Sequence, residues 1–410
     1  MRSPGMKLGV ALLAVVILAV GYLVGRSSPA NVNAEEAAQE MMDVYYPGTE
    51  TLGPDEFRVT ACGTGQPSVR PKQAAACWLV ELGNGDKFLF DIGAQSMSRI
   101  SAMKIPMDYL DKVFIGHLHV DHMGDLPILW TGGMKMNRTV PLRVWGPSGS
   151  TPEMGTAAAI EGLKQFMLWD DVSLMGRLDA RAMEWEVNEF DFKGVNQVIY
   201  QENGVTIRSI PAIHAIDGAV SFILDWNGYK FAYSSDTFPN QWWMEHAVGA
   251  DLAVHECFAP PEVLIEKQNY EPTFALWLST IGHTSPAQFG KIMAETEPRM
   301  AVGYHFYNDF DTQPIVLEQV RSTYDGPMTL ATDYMVFNVT RDDIRVRMAA
   351  VDQDIWPLPA TREKVVDQSQ QQTYGEFTKS GELMMRDVLE PLWAEINAKY
   401  GTNAQLPPQN

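Results

Sequence analysis

Cysteine is scarce in this chain. Three cysteines occur among 410 residues, so the sequence cannot build the disulfide framework on which many small secreted domains depend. One bridge, between Cys62 and Cys77, is compatible with two neighbouring strands in an oxidising compartment, and two free buried thiols are equally compatible. No cysteine lies among the clustered histidines, so a cysteine-ligated zinc site is not expected.

Basic side chains are also few. The chain has 31 Lys and Arg residues against 51 Asp and Glu residues. The first 34 residues hold three of the basic residues and no acidic one, so residues 35–410 carry 28 basic and 51 acidic side chains. A body this acidic repels polyanions and lacks the basic surface that nucleic-acid binding requires. Composition therefore predicts a partner other than a nucleic acid.

The chain has one long apolar run, at its N-terminus. Residues 8–25 are uncharged and follow Arg2 and Lys7, whereas acidic residues begin at Glu35. This charge order places the following chain outside the cytoplasm. We predict that residues 1–34 are a signal peptide or a signal anchor, with a length at the boundary between the two. The body is expected to be periplasmic or secreted, and anchored to the inner membrane if the segment is not cleaved.

Histidine is rare but clustered. Three of the eight histidines fall in the run His117-Leu118-His119-Val120-Asp121-His122. The run follows an apolar strand segment, residues 113–115. A strand that ends in a tight turn aims several imidazole and carboxylate groups into one small volume. Because zinc takes about four ligands and a catalytic zinc keeps one position for water, the run predicts part of a site for two zinc ions.

Three further potential ligands also follow β-type segments. His214 follows residues 205–210, Asp236 follows residues 231–235, and His305 follows residues 301–304. Loops at the ends of a rigid sheet can hold ligand side chains in place. A single histidine after a strand is usually a packed or solvated residue. Three such positions in this order, however, complete a set of seven metal ligands.

The order of these residues resembles the metallo-β-lactamase superfamily of binuclear zinc hydrolases. The resemblance implies that the first zinc is held by His117, His119 and His214. It implies that the second zinc is held by Asp121, His122 and His305, with Asp236 bridging both. A β-lactamase typically has a cysteine where Asp236 stands, so lactam cleavage is not expected. Strand-rich and then helical sequence occurs twice, which fits an α/β fold, an αββα sandwich with the metals at one edge of the two sheets.

Further motifs narrow the resemblance to one branch. They are Cys62-Gly63-Thr64-Gly65-Gln66-Pro67, Phe88-Leu89-Phe90-Asp91-Ile92-Gly93, His255-Glu256-Cys257-Phe258 and Gly282-His283-Thr284-Ser285. Together they are similar to the ribonuclease Z and zinc-dependent arylsulfatase-like branch over residues 55–350. Residues 145–149 and 285–288 resemble a bacterial group of metallohydrolases associated with guanitoxin biosynthesis.

One segment departs from that branch. Residues 151–193 stand where a ribonuclease Z would carry a basic arm that grips tRNA, and they hold nine acidic and four basic residues. Together with the export signal, this departure argues against tRNA processing. We therefore expect a small-molecule ester as the substrate.

Two residues outside the seven-ligand set are candidates for proton transfer. His283 precedes a helix start at Pro286, which would hold its ring firmly towards the cleft. Glu256 could accept the second N–H of that ring and fix its tautomer. The alternative is that both residues brace the helix. We also expect Asp121 to orient the nucleophile and Trp277 to form a wall of the substrate cleft.

The remaining chain divides around this domain. Residues 35–54 are expected to be a linker or lead-in, and residues 351–410 a C-terminal extension. Apolar residues at helical spacing predict a helix from Glu382 to Tyr400, kinked at Pro391. We expect this helix to pack on the core as a strap, and the alternative is a helix that binds a partner.

These observations predict a function. We expect an extracytoplasmic enzyme in which two zinc ions and a metal-bridging hydroxide cleave small sulfate, phosphate or carboxylic esters, including lactones. One alternative is a ribonuclease Z-like phosphodiesterase or endoribonuclease. Another is a non-catalytic metal-binding protein on the same fold. The sequence leaves the ester, the native metal and the oligomeric state open.

Overall fold

The computed structural model describes residues 44–68 and 70–407. Its strands are β1 Val44–Tyr45, β2 Phe57–Gly63, β3 Cys77–Leu82, β4 Lys87–Ile92, β5 Lys112–Phe114, β6 Leu142–Pro147, β7 Trp185–Phe190, β8 Gln197–Glu202, β9 Val205–Pro211, β10 Val220–Trp226, β11 Tyr229–Tyr233, β12 Leu252–Glu256, β13 Met300–Tyr304, β14 Met328–Leu330, β15 Met335–Val339 and β16 Ile344–Ala349. They form a nine-stranded sheet, β1-β16-β15-β2-β3-β4-β5-β6-β7, and a seven-stranded sheet, β14-β13-β12-β11-β10-β9-β8.

Helices connect and flank these strands. They are α1 Ser96–Ala102, α2 Val120–Met123, α3 Leu126–Lys135, α4 Thr156–Phe166, α5 Leu168–Leu174, α6 Ala180–Met183, α7 Gln241–His246, α8 Pro261–Gln268, α9 Pro272–Trp277, α10 Pro286–Thr296, α11 Gln313–Arg321, α12 Glu376–Lys379 and α13 Arg386–Tyr400. A π-helical turn, Leu278–Gly282, follows α9, and short 3₁₀ turns span Met107–Tyr109, Pro152–Met154 and Gln368–Gln370.

Three apolar layers hold the sheets and helices together. Between the sheets, the ring of Phe90 on β4 lies 5.6 Å from Phe222 on β10 and 5.4 Å from Phe231 on β11. A second layer joins the outer face of the nine-stranded sheet to α3, and a third joins the seven-stranded sheet to α8, α10 and α11. Strands buried on both faces account for the near-continuous apolar runs. The predicted mixed α/β fold with two packed sheets is confirmed.

The described part of the predicted linker or lead-in begins with a short strand. Val44 and Tyr45 pair in parallel with Met348 and Ala349 of β16. The Tyr45 side chain is buried, and its hydroxyl accepts a hydrogen bond of 2.7 Å from Arg58. A two-residue strand is too short to show a hydrophobic period, so no pattern in the sequence predicts it.

Two cysteines form a disulfide. Cys62 and Cys77 join the neighbouring strands β2 and β3, which decides between the bridge and two free thiols. Cys257 is a buried free thiol.

The C-terminal extension packs differently from the prediction. Its helix begins at Arg386, four residues later than expected, and includes Pro391. No residue of this helix is buried, and Val388 is 62% exposed. The predicted strap is therefore wrong for the helix. The preceding segment lies on the body instead, where the Ala360 N–H donates to Met136 O and the Val365 N–H donates to Asp179.

The predicted signal peptide or anchor, residues 1–34, lies outside the described residues. Across residues 44–68 and 70–407, no helix has the length and apolar character needed to cross a bilayer.

Candidate metal centre

The histidine-rich run lies at the end of a parallel strand, as expected. β5 runs parallel between β4 and β6, and the chain then passes through Gly116 to His117 and His119. The short helix α2 presents Asp121 and His122, both buried. Gly116 is required here because a Cβ would lie 2.3 Å from Ser235 Oγ. The run therefore approaches the second sheet closely.

The second sheet supplies the other predicted ligands. His214 follows β9, Asp236 follows β11 and His305 follows β13. Loops from both sheets therefore meet at one edge of the sandwich. The structure brings together all seven residues that the sequence predicted as ligands, in two adjacent groups.

The first group consists of His117, His119 and His214. The Nδ1 of His119 lies 3.0 Å from His117 Nε2 and 3.3 Å from His214 Nε2. A single proton cannot satisfy three nitrogens that converge in this way, whereas a cation can. Burial lowers the pKa of His117 well below its usual range and that of His214 to about 4. Both rings are therefore neutral at pH 7, the state in which imidazole binds a metal.

The second group consists of Asp121, His122, Asp236 and His305. Asp236 Oδ2 lies 3.0 Å from His305 Nε2, and Asp236 Oδ1 lies 3.3 Å from His122 Nε2. Although burial opposes a charge on the His122 ring, the carboxylates of Asp236, Asp121 and Asp91 raise its pKa well above the usual value. This electrostatic field favours positive charge between the four side chains.

Buried atoms without a hydrogen-bond partner test whether this group suits a metal. Asp121 Oδ2, His122 Nε2 and His305 Nε2 are such atoms. Asp236 Oδ1 is another, and Asp236 Oδ2 lies 3.8 Å from His214 Nε2 of the first group. Burying polar atoms without partners is costly unless they bind an ion or water. The oxygen and nitrogen donors therefore fit a metal ion such as zinc.

Asp91 supports the metal centre through hydrogen bonds. It was not identified as a site residue from the sequence. It is fully buried and accepts hydrogen bonds from His122 Nδ1 at 2.6 Å, Tyr233 OH at 2.6 Å and Ser235 Oγ at 2.9 Å. Its other oxygen accepts from the Gly116 N–H at 2.7 Å. An acidic residue at the end of the apolar strand β4 was the available signal. Such a carboxylate fixes the tautomer and orientation of a ligating imidazole.

The predicted pair of His283 and Glu256 is in contact. His283 Nδ1 lies 2.9 Å from Glu256 Oε2, and both side chains are buried. Phe258 stacks on the His283 ring with a centroid distance of 4.0 Å. The helix after His283 begins at Pro286 with a capping box formed by Ser285 and Gln288.

This pair can be either catalytic or structural. Burial lowers the pKa of His283 to about 4 and raises the pKa of Glu256 well above its usual range. His283 also lies with His214 and Asp236 in a third potential ligand group, so its ring faces the metal centre.

An open cleft of about 430 Å³ lies beside His214. Trp277, the predicted wall residue, lines it together with Trp242 and Ile281. Among the described residues that line the cleft, Lys193 is the one Lys or Arg. The cleft therefore joins an apolar wall to the more exposed side of the metal centre.

Comparison with known proteins decides the family. A family model described as Anti-Pycsar protein Apyc1 matches residues 57–263, just over half of the chain. The chain belongs to this family, in the ribonuclease Z-like branch of the metallo-β-lactamase fold. It is 30% identical over 206 residues to the ribonuclease Z of Mycobacterium marinum, covering 48% of this chain and 70% of that protein. It is 24% identical over 322 residues to the ribonuclease Z of Bacteroides fragilis, covering 66% of this chain and 94% of that protein.

Solved structures share the fold. The metallo-β-lactamase fold protein YhfI of Bacillus subtilis superposes with a TM-score of 0.51 at 19% identity, over 70% of this chain and 100% of that one. The short form of human tRNase Z superposes with a TM-score of 0.50 at 16% identity, over 68% and 98%. The predicted superfamily and branch are confirmed.

The matches also bear on the predicted enzyme class and on the predicted partner. Membership of this branch makes the chain a metal-dependent hydrolase by family, whereas the arylsulfatase type and the guanitoxin association stay predictions. The expectation that the partner is not a nucleic acid needs correction, because the matched relatives are named ribonuclease Z. Net charge sums over the whole surface, whereas binding depends on the local charge beside the site.

Proposed function

We propose that the chain is a zinc-dependent phosphodiesterase. The observation that carries this proposal is the convergence of seven ligand side chains from both sheets, with Asp236 Oδ2 3.0 Å from His305 of the second group and 3.8 Å from His214 of the first. Its ribonuclease Z relatives favour a phosphodiester over the sulfate and carboxylic esters that the sequence prediction named beside phosphate esters. The reaction is hydrolysis of one P–O ester bond, in which water supplies the new oxygen on phosphorus and the leaving oxygen takes a proton.

The chain's own residues have distinct roles in this proposal. His117, His119 and His214 would hold one zinc. Asp121, His122 and His305 would hold the other, with Asp236 between the two. Bound zinc supplies a Lewis acid and a water that ionises near pH ~7.

Proton transfer would fall to residues beside the ligands. His283 would give a proton from Nε2 to the leaving oxygen while its Nδ1 stays bonded to Glu256. Asp121 would orient the attacking water. Glu256 would remain buried and would not touch the substrate, so it is a positioning residue.

The cleft favours a substrate of limited size. A volume of about 430 Å³ lies within the range of small-molecule sites, about 300–1,000 Å³. Trp277 and Ile281, about half exposed, offer an apolar wall for a ring or an aliphatic group. RNA nevertheless belongs in the test, because the relatives carry the name ribonuclease Z.

We also propose that the body works outside the cytoplasm. The Cys62–Cys77 disulfide supports this location, because such bonds persist in oxidising compartments. The apolar run at residues 8–25 and the basic residues before it support the same location. A phosphatase reporter fused after Ala34 should be active in the periplasm, and activity confined to the cytoplasm would contradict the proposal.

A substrate panel tests the activity. Purified protein, loaded with zinc, would be assayed on bis-p-nitrophenyl phosphate, p-nitrophenyl sulfate, an acyl ester, a lactone and a pre-tRNA. We expect phosphodiester cleavage that is lost in Asp236→Asn and kept in His246→Ala, a histidine substitution outside the site. Faster turnover of the sulfate or the acyl esters would overturn the phosphodiesterase assignment and restore the small-ester prediction.

A further inference from the structure

The backbone at His305 has an unusual conformation. Its φ is +74°, in the left-handed region that residues with a Cβ seldom adopt. Such a conformation persists where the surroundings over-determine it. His305 lies directly after β13 and belongs to the second ligand group, so what holds its backbone also places its ring.

The loop between β2 and β3, described over residues 64–68 and 70–76, bonds to this backbone on both sides of the His305 Cα. The His305 N–H donates to Thr64 O at 3.0 Å. Gln66 Nε2 donates to the His305 carbonyl at 3.3 Å. Two successive peptide groups are therefore tied to the same loop.

Gln73 lies at the centre of this contact. Its side chain is fully buried, and its Nε2 donates to Thr64 Oγ1 at 3.0 Å and to Phe306 O at 3.1 Å. Its Oε1 accepts from the Asn308 N–H at 3.0 Å and from Arg70. One amide thus connects the loop to the residues that follow His305.

The loop itself is fixed at its base. The Cys62–Cys77 disulfide closes it. Asp333 accepts from the Thr64 N–H at 3.0 Å and from the Ala74 N–H at 2.7 Å, which ties the two ends together. A change at the base or at Gln73 would therefore reach the His305 backbone through defined hydrogen bonds.

We infer that the disulfide-closed loop positions His305 for the second metal, with Gln73 as the positioning residue. Gln73 acts through the Phe306 carbonyl and the Asn308 N–H, and through Thr64, whose carbonyl accepts from the His305 N–H. The inference rests on the proposed metal binding and is independent of which ester is cleaved. Loss of supporting contacts around a metal ligand typically lowers the affinity for the metal by about 10–100-fold.

The test measures metal release and not turnover. Gln73→Met keeps the length of the side chain and removes all its hydrogen bonds, and Thr296→Val serves as a control for loss of a buried polar contact far from the site. Protein loaded with two zinc ions would be challenged with a colorimetric chelator. In Gln73→Met we expect one ion to be released about 10–100-fold faster than in wild type and in the control, with the other unchanged.

Two backgrounds identify the affected ion. In the His119→Ala background, which disables the first group, Gln73→Met should weaken binding of the remaining ion. In His305→Ala, which disables the second, Gln73→Met should have no further effect. The inference would be overturned if Gln73→Met weakened the binding of both ions equally, or weakened the binding of neither.

A second variant covers the case in which Gln73→Met does not fold. Cys62→Ala/Cys77→Ala opens the base of the loop without touching Gln73, and it should likewise weaken the same single ion. Normal retention of both ions in this double variant would overturn the role of the disulfide. If wild-type protein holds no zinc, the proposed function fails as well. If wild type holds two ions and the variants match it, the present inference alone fails.

Discussion

Asp91→Asn should separate support of the metal centre from the metal ligands. Asp91 is fully buried, and its backbone φ of +55° is one that asparagine tolerates well. The substitution therefore keeps both size and backbone and changes the hydrogen-bonding group alone. In the native protein the Asp91 carboxylate accepts hydrogen bonds from four donors, three of them on Oδ2.

The hydrogen bonds of Asp91 determine how large the effect of Asp91→Asn should be. An amide nitrogen cannot accept, so it must face at least one donor. The best arrangement puts the nitrogen against the Gly116 N–H and leaves that buried donor without a partner, which costs about 1–3 kcal/mol. His122 also loses a charged acceptor, which should weaken metal retention by about 10–100-fold.

The assay combines two measurements. Zinc content after dialysis against a chelator reports metal retention, and urea unfolding reports the free energy of unfolding. Asp342→Asn makes the same chemical change at an exposed position and serves as the control. If Asp91→Asn keeps two zinc ions and unfolds at the same urea concentration as Asp342→Asn, the reasoning about Asp91 is wrong.

Three further predictions follow from the site and its surroundings. His283→Ala should keep both zinc ions but slow cleavage of alkyl phosphodiesters by about 10²–10⁴-fold, with a smaller loss on nitrophenyl leaving groups; equal losses on both would make His283 structural. His119→Ala should lose at least one zinc in elemental analysis, and full metal content would contradict its assignment as a ligand. Hydrogen bonding to Arg347 lowers the pKa of Glu50, so Glu50 should stabilise the fold above its unfolded pKa and lose this effect as the pH falls through the lowered value. Wild type and Glu50→Gln should therefore differ in urea unfolding at pH 7 and converge at pH 3, whereas a constant difference would argue against this pair.

Features that depend on neighbouring residues were accessible from the sequence. His117 to His122 lie on one turn after one strand, so their convergence needs no long-range information. The helix start at Pro286 was equally local and is present with its cap. His214, Asp236 and His305 were found because each follows a strand, and strand ends of packed sheets meet at a common edge.

Features that depend on distant residues were missed or misjudged. Asp91 binds Tyr233 and Ser235, which are 142 and 144 residues away in the sequence. Gln73 contacts residues more than 230 positions away. The helix Arg386–Tyr400 has apolar residues at helical spacing, but that pattern does not say whether a surface lies opposite, and none of its residues is buried.

The sequence by itself determined the ligand types, the order of strands and ligands, and the start of the helix after His283. These follow from side-chain chemistry and local backbone preference, which act over a few residues. The tertiary structure alone decided which carboxylate orients His122, that Cys62 pairs with Cys77, and that the loop between β2 and β3 holds His305. These depend on how two sheets and their loops pack, because hydrogen bonds between residues hundreds of positions apart form once the burial of apolar faces has brought the strands together.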